Sequence, residues 1–197
     1  MHERTNGGPG GSIGLIAEHF AAHEDVVRLA LAEIIPVAEE AGRALVTALQ
    51  QGHKVIAFGN GGSATQASHF VGELIGRFKR MRRALPALAL VSDPGSVTCI
   101  ANDFGYASLF ERQIEALAAP GDVAVGLTTS GTSENVLRGL AAARGAGAVT
   151  IALTGRAGLL EGAADHVVRV PSTATAAIQE VHIMLIHAWC GAIDAAL

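Results

Sequence analysis

The sequence predicts an α/β fold built on a parallel sheet, and three observations carry that expectation. Short, almost wholly apolar runs recur along the chain, Gly, Pro, Asp or Ser bounds each one, and helical periodicity fills most stretches between them. A strand buried on both faces of a sheet has no polar side to show, so it reads as continuously apolar rather than alternating. The runs are 54–59 (KVIAFG), 86–91 (PALALV), 122–129 (DVAVGLTT), 149–155 (VTIALTG) and 166–171 (HVVRVP).

In chain order, residues 1–14 (MHERTNGGPGGSIG) read as a mobile, glycine-rich tail. From Leu15 to Gln51, apolar residues at intervals of three and four predict helix, with Pro36 as a kink or break. His19 and His23 lie four apart in this stretch, a spacing that could serve a metal but that amphipathic surface helices produce often. Strands and helices then alternate until a final apolar helix from about Thr175 to Asp194. Ligands of open parallel sheets bind outside the carboxyl ends of the strands, so the loops after 59, 91, 129 and 171 are where chemistry is expected.

A chain of 197 residues, 50% hydrophobic and 16% charged, suits one core, and residues 15–197 read as a single domain. The 24 glycines and the apolar balance favour buried subunit contacts over a lone monomer. A net charge of −4 and 4% aromatic residues leave neither a basic footprint nor a stacking surface for nucleic acid, so a small molecule is the expected partner. The two cysteines, Cys99 and Cys190, make neither a disulfide framework nor a CxxC metal knuckle and fit a reducing cytoplasm. No signal peptide is apparent, and no run reads as long and uninterrupted enough to span a bilayer.

After the first apolar run comes GNGGSATQASHFVGE, 59–73. Its Gly59, Asn60, Gly61, Gly62 and Ser63 let backbone N–H groups approach an anion at the start of a helix, with Ser63 placed to cap that helix or donate to a ligand oxygen. The loop lacks both GxGxxG and the Walker lysine, and a tight strand-to-helix turn would also use these residues. Four residues of helix turn the chain by about 400°, so His69 and Glu73 share a face some 6 Å apart along the axis, a spacing used by zinc and by acid–base sites. The third run ends in TTSGTSEN, where Thr128, Thr129, Ser130, Thr132 and Ser133 crowd one loop. Hydroxyls and helix-terminal amides can satisfy a phosphate without lysine, so a sugar phosphate fits this loop. In the last helix, Gln179, Glu180, His182 and His187 interrupt an apolar sequence and need partners if buried. Eight residues put Gln179 and His187 about 12 Å apart along the axis, so spacing alone does not propose a shared metal. The basic segment RFKRMRR, 77–83, reads either as a solvated helix end or as an anion-attracting rim, and Arg77, one turn beyond Glu73, is its member nearest that face.

Taken together, GNGGSATQASHFVGELIGRF, ANDFGY at 101–106, GDVAVGLTTSGTSENV at 121–136, TIALTG and IQEVHIMLIH at 178–187 resemble the sugar isomerase (SIS) domain family, and within it the phosphoheptose isomerases. The resemblance spans nearly the whole chain after the tail. It implies a five-stranded parallel sheet flanked by helices in a flavodoxin-like three-layer sandwich with N-terminal helices, a cytoplasmic homotetramer, and active sites built between subunits. It further implies that Asn60, Gly61, Gly62, Asn102 and Asp103 surround the sugar, that Thr128, Thr129, Ser130 and Ser133 surround the phosphate, and that His69, Glu73, Gln179 and His187 hold one zinc ion per subunit. Glu73 and His187 are also implied as catalytic base and acid. For Glu73 the two roles compete, because a carboxylate bound to Zn²⁺ is a weaker base than a free one. The activity implied is isomerisation of sedoheptulose 7-phosphate to an aldoheptose 7-phosphate for nucleotide-activated heptose and lipopolysaccharide. Thr128 stands where the family commonly has Ser, and STATAA at 172–177 lacks charged residues often found there. The fold also hosts tetramers that bind a replication initiator protein without catalysis, and sugar-phosphate sensors; retention of Glu73 and His187 argues for the enzyme.

Overall fold

The computed structural model describes residues 9–158 and 162–197. Its centre is an all-parallel sheet of β1 (Val55–Gly59), β2 (Ala87–Ala89), β3 (Val123–Thr128), β4 (Val149–Gly155) and β5 (His166–Val170), in the order β2-β1-β3-β4-β5. All five strands fall within the five expected apolar runs. The helices among the described residues are α1 (Pro9–Glu33), α2 (Ile35–Gln50), α3 (Gly62–Ile75), α4 (Pro94–Phe104), α5 (Leu109–Leu117), α6 (Glu134–Gly145) and α7 (Thr175–Ala196), with a 3-10 turn at Tyr106–Ser108.

The strand sequences are largely apolar because each face of the sheet has its own core. Val55, Ala57, Val123, Val125, Leu127, Ile151 and Leu153 join residues of α2, α3 and α7 on one face. Their neighbours Ile56, Phe58, Ala124 and Ala152 meet Leu109, Phe110 and Ile114 of α5 and Val136 and Leu140 of α6 on the other. Successive residues of a strand point to opposite faces, so one run of apolar residues serves both layers.

Two expectations need correction. Helix α1 begins at Pro9, inside the stretch read as a tail, while residues 1–8 lie outside the described residues. Helix α7 does have the length and apolar composition of a membrane span, contrary to the reading that no run qualifies, yet half of it is buried inside the protein. Pro36 stands in the first turn of α2, where its missing N–H is no loss, and the bonds Ile34 N–H to Ala30 and Ala38 N–H to Ile34 carry helical pairing across the junction.

The sheet is tied at its amino end by polar groups. Asp122 is paired with the Lys54 ammonium and accepts from the Lys54 and Ala119 N–H groups at 3.0 and 2.8 Å, joining the starts of β1 and β3. Burial pushes this carboxyl up, but Lys54 and the N–H donors outweigh it and hold it below the usual carboxylate range. Asp165 likewise accepts from the Thr150 N–H and hydroxyl at 2.8 and 2.7 Å.

His182 of α7 is fully buried, its Nε2 3.4 Å from the Thr154 carbonyl, and burial lowers its pKa to about 4. Between the ordinary value near 6.5 and 4 the unfolded chain binds a proton that the folded chain refuses, so stability falls as pH falls through this window. The contribution is about 3 kcal/mol by linkage. Urea unfolding of wild type and His182→Leu at fixed protein concentration should show a shallower pH dependence in the variant between pH 6.5 and 4; equal slopes would disprove this assignment.

Candidate active site

The strand order reverses between β1 and β3, which pair with Gly59 beside Leu127, so the loops that follow leave the sheet side by side and turn apart. These are the glycine loop and the hydroxyl loop. Gly61, at φ 54° and ψ −124°, is the N-cap of α3 in a conformation that favours glycine, and no side chain caps the helix. Ser63, expected as a cap, is instead buried in the first turn. At Gly62 a Cβ would lie 2.6 Å from Gln179 Nε2, so absence of a side chain there lets Gln179 of α7 close over the loop.

Asn60 is held from both sides. Its Nδ2 donates to Asn135 Oδ1 and its Oδ1 accepts from Asn135 Nδ2, each at 2.9 Å, while the Tyr106 hydroxyl donates to the same Oδ1 at 2.7 Å. Both lone pairs of that oxygen are used, which leaves one Nδ2 hydrogen and the backbone to meet a ligand. Asn135 and Tyr106 were not expected from the sequence; the signals were the position of Asn135 just after the hydroxyl loop and a lone tyrosine beside the Asn-Asp pair. Asn102 and Asp103 end α4 as exposed residues, Asn102 Nδ2 donating to Asp103 Oδ1 at 2.7 Å, and neither bonds to the glycine loop.

In the hydroxyl loop, Thr128 Oγ1 lies 3.4 Å from Ser130 Oγ and 3.1 Å from Ser133 Oγ and accepts from the Gly131 N–H at 3.1 Å. Ser130 Oγ also accepts from the Thr132 N–H and hydroxyl at 3.2 and 3.1 Å. Ser133 is the N-cap of α6 but makes no side-chain cap bond, so hydroxyls gather where the first N–H groups of that helix point outward. Thr129 stands outside this network and lines, with Ser130, Ser172, Thr173 and Thr175, a cavity of about 220 Å³.

Helices α3 and α7 bring together His69, Glu73 and His187. His69 Nε2 is 3.1 Å from Glu73 Oε1 and 3.3 Å from His187 Nε2, and one ligand atom from each of the three lies within 4.8 Å of the others. Zinc with N and O ligands at about 2.0–2.2 Å needs tetrahedral edges near 3.3 Å, so this donor set fits such an ion. Gln179 makes no hydrogen bond to the trio; its side-chain amide lies on Gly62, and its backbone carbonyl accepts from Gln66 Nε2 at 2.6 Å. Phe78 stacks on the His187 ring, centroids 5.5 Å apart and 21° between planes.

The remaining polar residues of α7 have other duties. Glu180 pairs with His19 at 2.7 Å and His23 at 2.8 Å, so those histidines bind α1 to α7. Helix α3 ends at Ile75, which takes Arg77 off the helical face of Glu73; Arg77 is exposed and without a hydrogen bond or ion pair among the described residues. The residue of the basic segment that turns inward is Arg82.

Residues 8–155 match the model of the SIS domain. The phosphoheptose isomerase of Aquifex aeolicus is 50% identical over 171 residues, 85% of this chain and 89% of its own, and that of Aliarcobacter butzleri 43% over 180 residues, 91% and 95%. Among solved structures, a phosphoheptose isomerase from Francisella tularensis superposes with a TM-score of 0.89 at 34% identity over 93% of this chain and 98% of its own. The one from Neisseria gonorrhoeae gives 0.85 at 38% identity over 92% and 98%. Identity of 34–50% over most of the chain, together with superposition over nearly its whole length, shows that the chain belongs to the phosphoheptose isomerases of the SIS domain family.

Proposed function

We propose that this protein is a ketose–aldose isomerase that converts sedoheptulose 7-phosphate to D-glycero-D-manno-heptose 7-phosphate, a precursor of nucleotide-activated heptose for surface polysaccharide. The convergence of Glu73 and His187 on α3 and α7, the helix that the glycine loop opens and the helix whose Gln179 rests on Gly62, carries this reading. The reaction moves one proton from C1 to C2 and another between their oxygens through an enediolate. Glu73 takes the carbon-bound proton and returns it to the neighbouring carbon; His187 handles the oxygen-bound proton. Asn60, Gly61, Gly62, Ser63, Asn102 and Asp103 bind the sugar, Arg77 attracts the anion from the rim, and Thr128, Thr129, Ser130 and Ser133 with the α6 N–H groups hold the phosphate. That remote grip orients the reacting carbons, and binding energy from a group that does not react lowers the barrier.

His69, Glu73 and His187, joined by Gln179, would hold one zinc ion per subunit, which when bound supplies polarisation of the substrate's carbonyl oxygen. Residues 15–197 act as one domain of a cytoplasmic homotetramer. Support for assembly comes from α1, where Ile13, Leu15, Ile16, Phe20 and Leu31 are each at least 59% exposed, a row of apolar groups that a second copy would cover.

Three outcomes follow. Sedoheptulose 7-phosphate followed by NMR should give the aldose product with wild type, and Glu73→Gln should lower kcat by about 10²–10⁴-fold; a fully active variant would remove Glu73 from the chemistry. In Gly62→Ala the new Cβ, 2.6 Å from Gln179 Nε2, should push that amide aside and lower kcat/KM about tenfold or more with little change in Tm. Elemental analysis of protein purified without chelator should find one zinc per chain, lost in His69→Ala; metal-free, fully active protein would end the zinc assignment.

A further inference from the structure

We infer that Arg82 is a positioning residue for the isomerisation, resting on the proposed roles of Glu73 and His187: anchored by buried Asp194, it fixes the last turn of α3 against α7 and so sets the approach of those two side chains. The side chains of Arg82 and Asp194 are only 3% and 2% exposed, and Arg82 Nε donates to Asp194 Oδ1 at 2.8 Å. The rest of the guanidinium reaches the catalytic helix: Nη2 donates to the Glu73 carbonyl at 2.8 Å and Nη1 to the Leu74 carbonyl at 2.9 Å and the Arg83 carbonyl at 3.1 Å. Carbonyls at a helix C-terminus have no partner within the helix, and here a charged, planar donor supplies one at the residue that carries the proposed base.

Asp194 completes the connection. Its Oδ2 accepts from the Lys79 and Arg80 N–H groups at 2.8 and 2.9 Å, which holds the segment after α3 in place. Phe78, one residue before that anchored stretch, lies flat on His187. Residues 187, 190 and 194 recur at helical spacing along one side of α7, and the buried Cys190 between the other two is close enough to Glu73 and Asp194 for both charges to disfavour its thiolate. One ion pair thus joins both ends of the proposed proton path: Glu73 through its own carbonyl, His187 through the ring stacked on it.

The geometry also explains why arginine is used. Lysine at 82 could keep a charge near Asp194, but a single ammonium cannot span the carboxylate and the Glu73 and Leu74 carbonyls together. The phosphate-binding loop, on β3 and α6, makes no contact with this assembly among the described hydrogen bonds.

The experiment is steady-state isomerisation of sedoheptulose 7-phosphate by wild type, Glu73→Gln, Arg82→Lys, Asp194→Asn and Phe110→Leu, with Tm measured for each. Phe110 lies in the core on the other face of the sheet and serves as a destabilised control. Arg82→Lys should lower kcat about 10- to 100-fold with KM changed less than about threefold, while Phe110→Leu keeps kcat near wild type at a comparable loss of Tm. Should Arg82→Lys not fold, Asp194→Asn, of the same shape, should show the same split. Wild-type kcat in a folded Arg82 or Asp194 variant, or an equal loss in Phe110→Leu, would overturn the positioning role while leaving the isomerase reading intact. An inactive wild type would overturn that reading and this inference with it.

Discussion

Buried Ile178, Val181, Leu185, Ile186, Trp189, Cys190 and Ile193 seat α7 against α2, α3 and the sheet, and every functional side chain on that helix is placed by this packing. Trp189 adds a direct bond, its Nε1 donating to the Ala38 carbonyl at 2.8 Å. Because a helix turns through about 100° per residue, fixing its apolar face also fixes where its polar residues point. Gln179 then closes on the glycine loop, Glu180 meets α1, His182 is buried beneath Thr154, and His187 and Asp194 face α3 and the segment after it. A small rotation of α7 would move all of them together, so the geometry of the candidate site and core packing are one constraint.

The sheet divides its polar groups by end. At the amino end, Asp122 and Asp165 bind backbone and side chains of neighbouring segments and leave little for a ligand. At the carboxyl end, α3 and α6 both begin without a bond from the N-cap side chain; the N–H groups of Ser63, Ala64 and Val136 are taken by carbonyls of the preceding turn, which leaves, among the described residues, those of Gly62, Glu134 and Asn135 to meet a ligand. Buried carboxylates tie neighbouring segments where the strands start, and hydroxyls and glycine backbone gather where they finish, beside the reversal of strand order.

Much of the site was legible because its residues are close in sequence. His69 and Glu73 meet through one helical turn, and the hydroxyls of 128–133 meet through one loop, so local geometry suffices to propose each group. The Asn60–Asn135 pair and the Phe78–His187 stack were not legible, since each depends on register between segments far apart in the chain. The basic segment misled for the same reason: its charge density suggested a solvated helix end or an anion-attracting rim, but a buried carboxylate more than a hundred residues away draws Arg82 inward. Arg77 looked like a neighbour of Glu73 only while the helix was taken to continue past Ile75.

By itself the sequence determined the parallel sheet, the position of its five strands and the glycine and hydroxyl loops that follow β1 and β3, because apolar runs, glycine turns and helical spacing are set by interactions between residues near one another. Tertiary structure alone decided that α7 delivers His187 to His69 and Glu73, that Gln179 rests on Gly62, and that Arg82 grips the end of α3. Those meetings arise from how helices pack across a shared core, and no spacing within the chain encodes the rotation at which two distant helices come to rest.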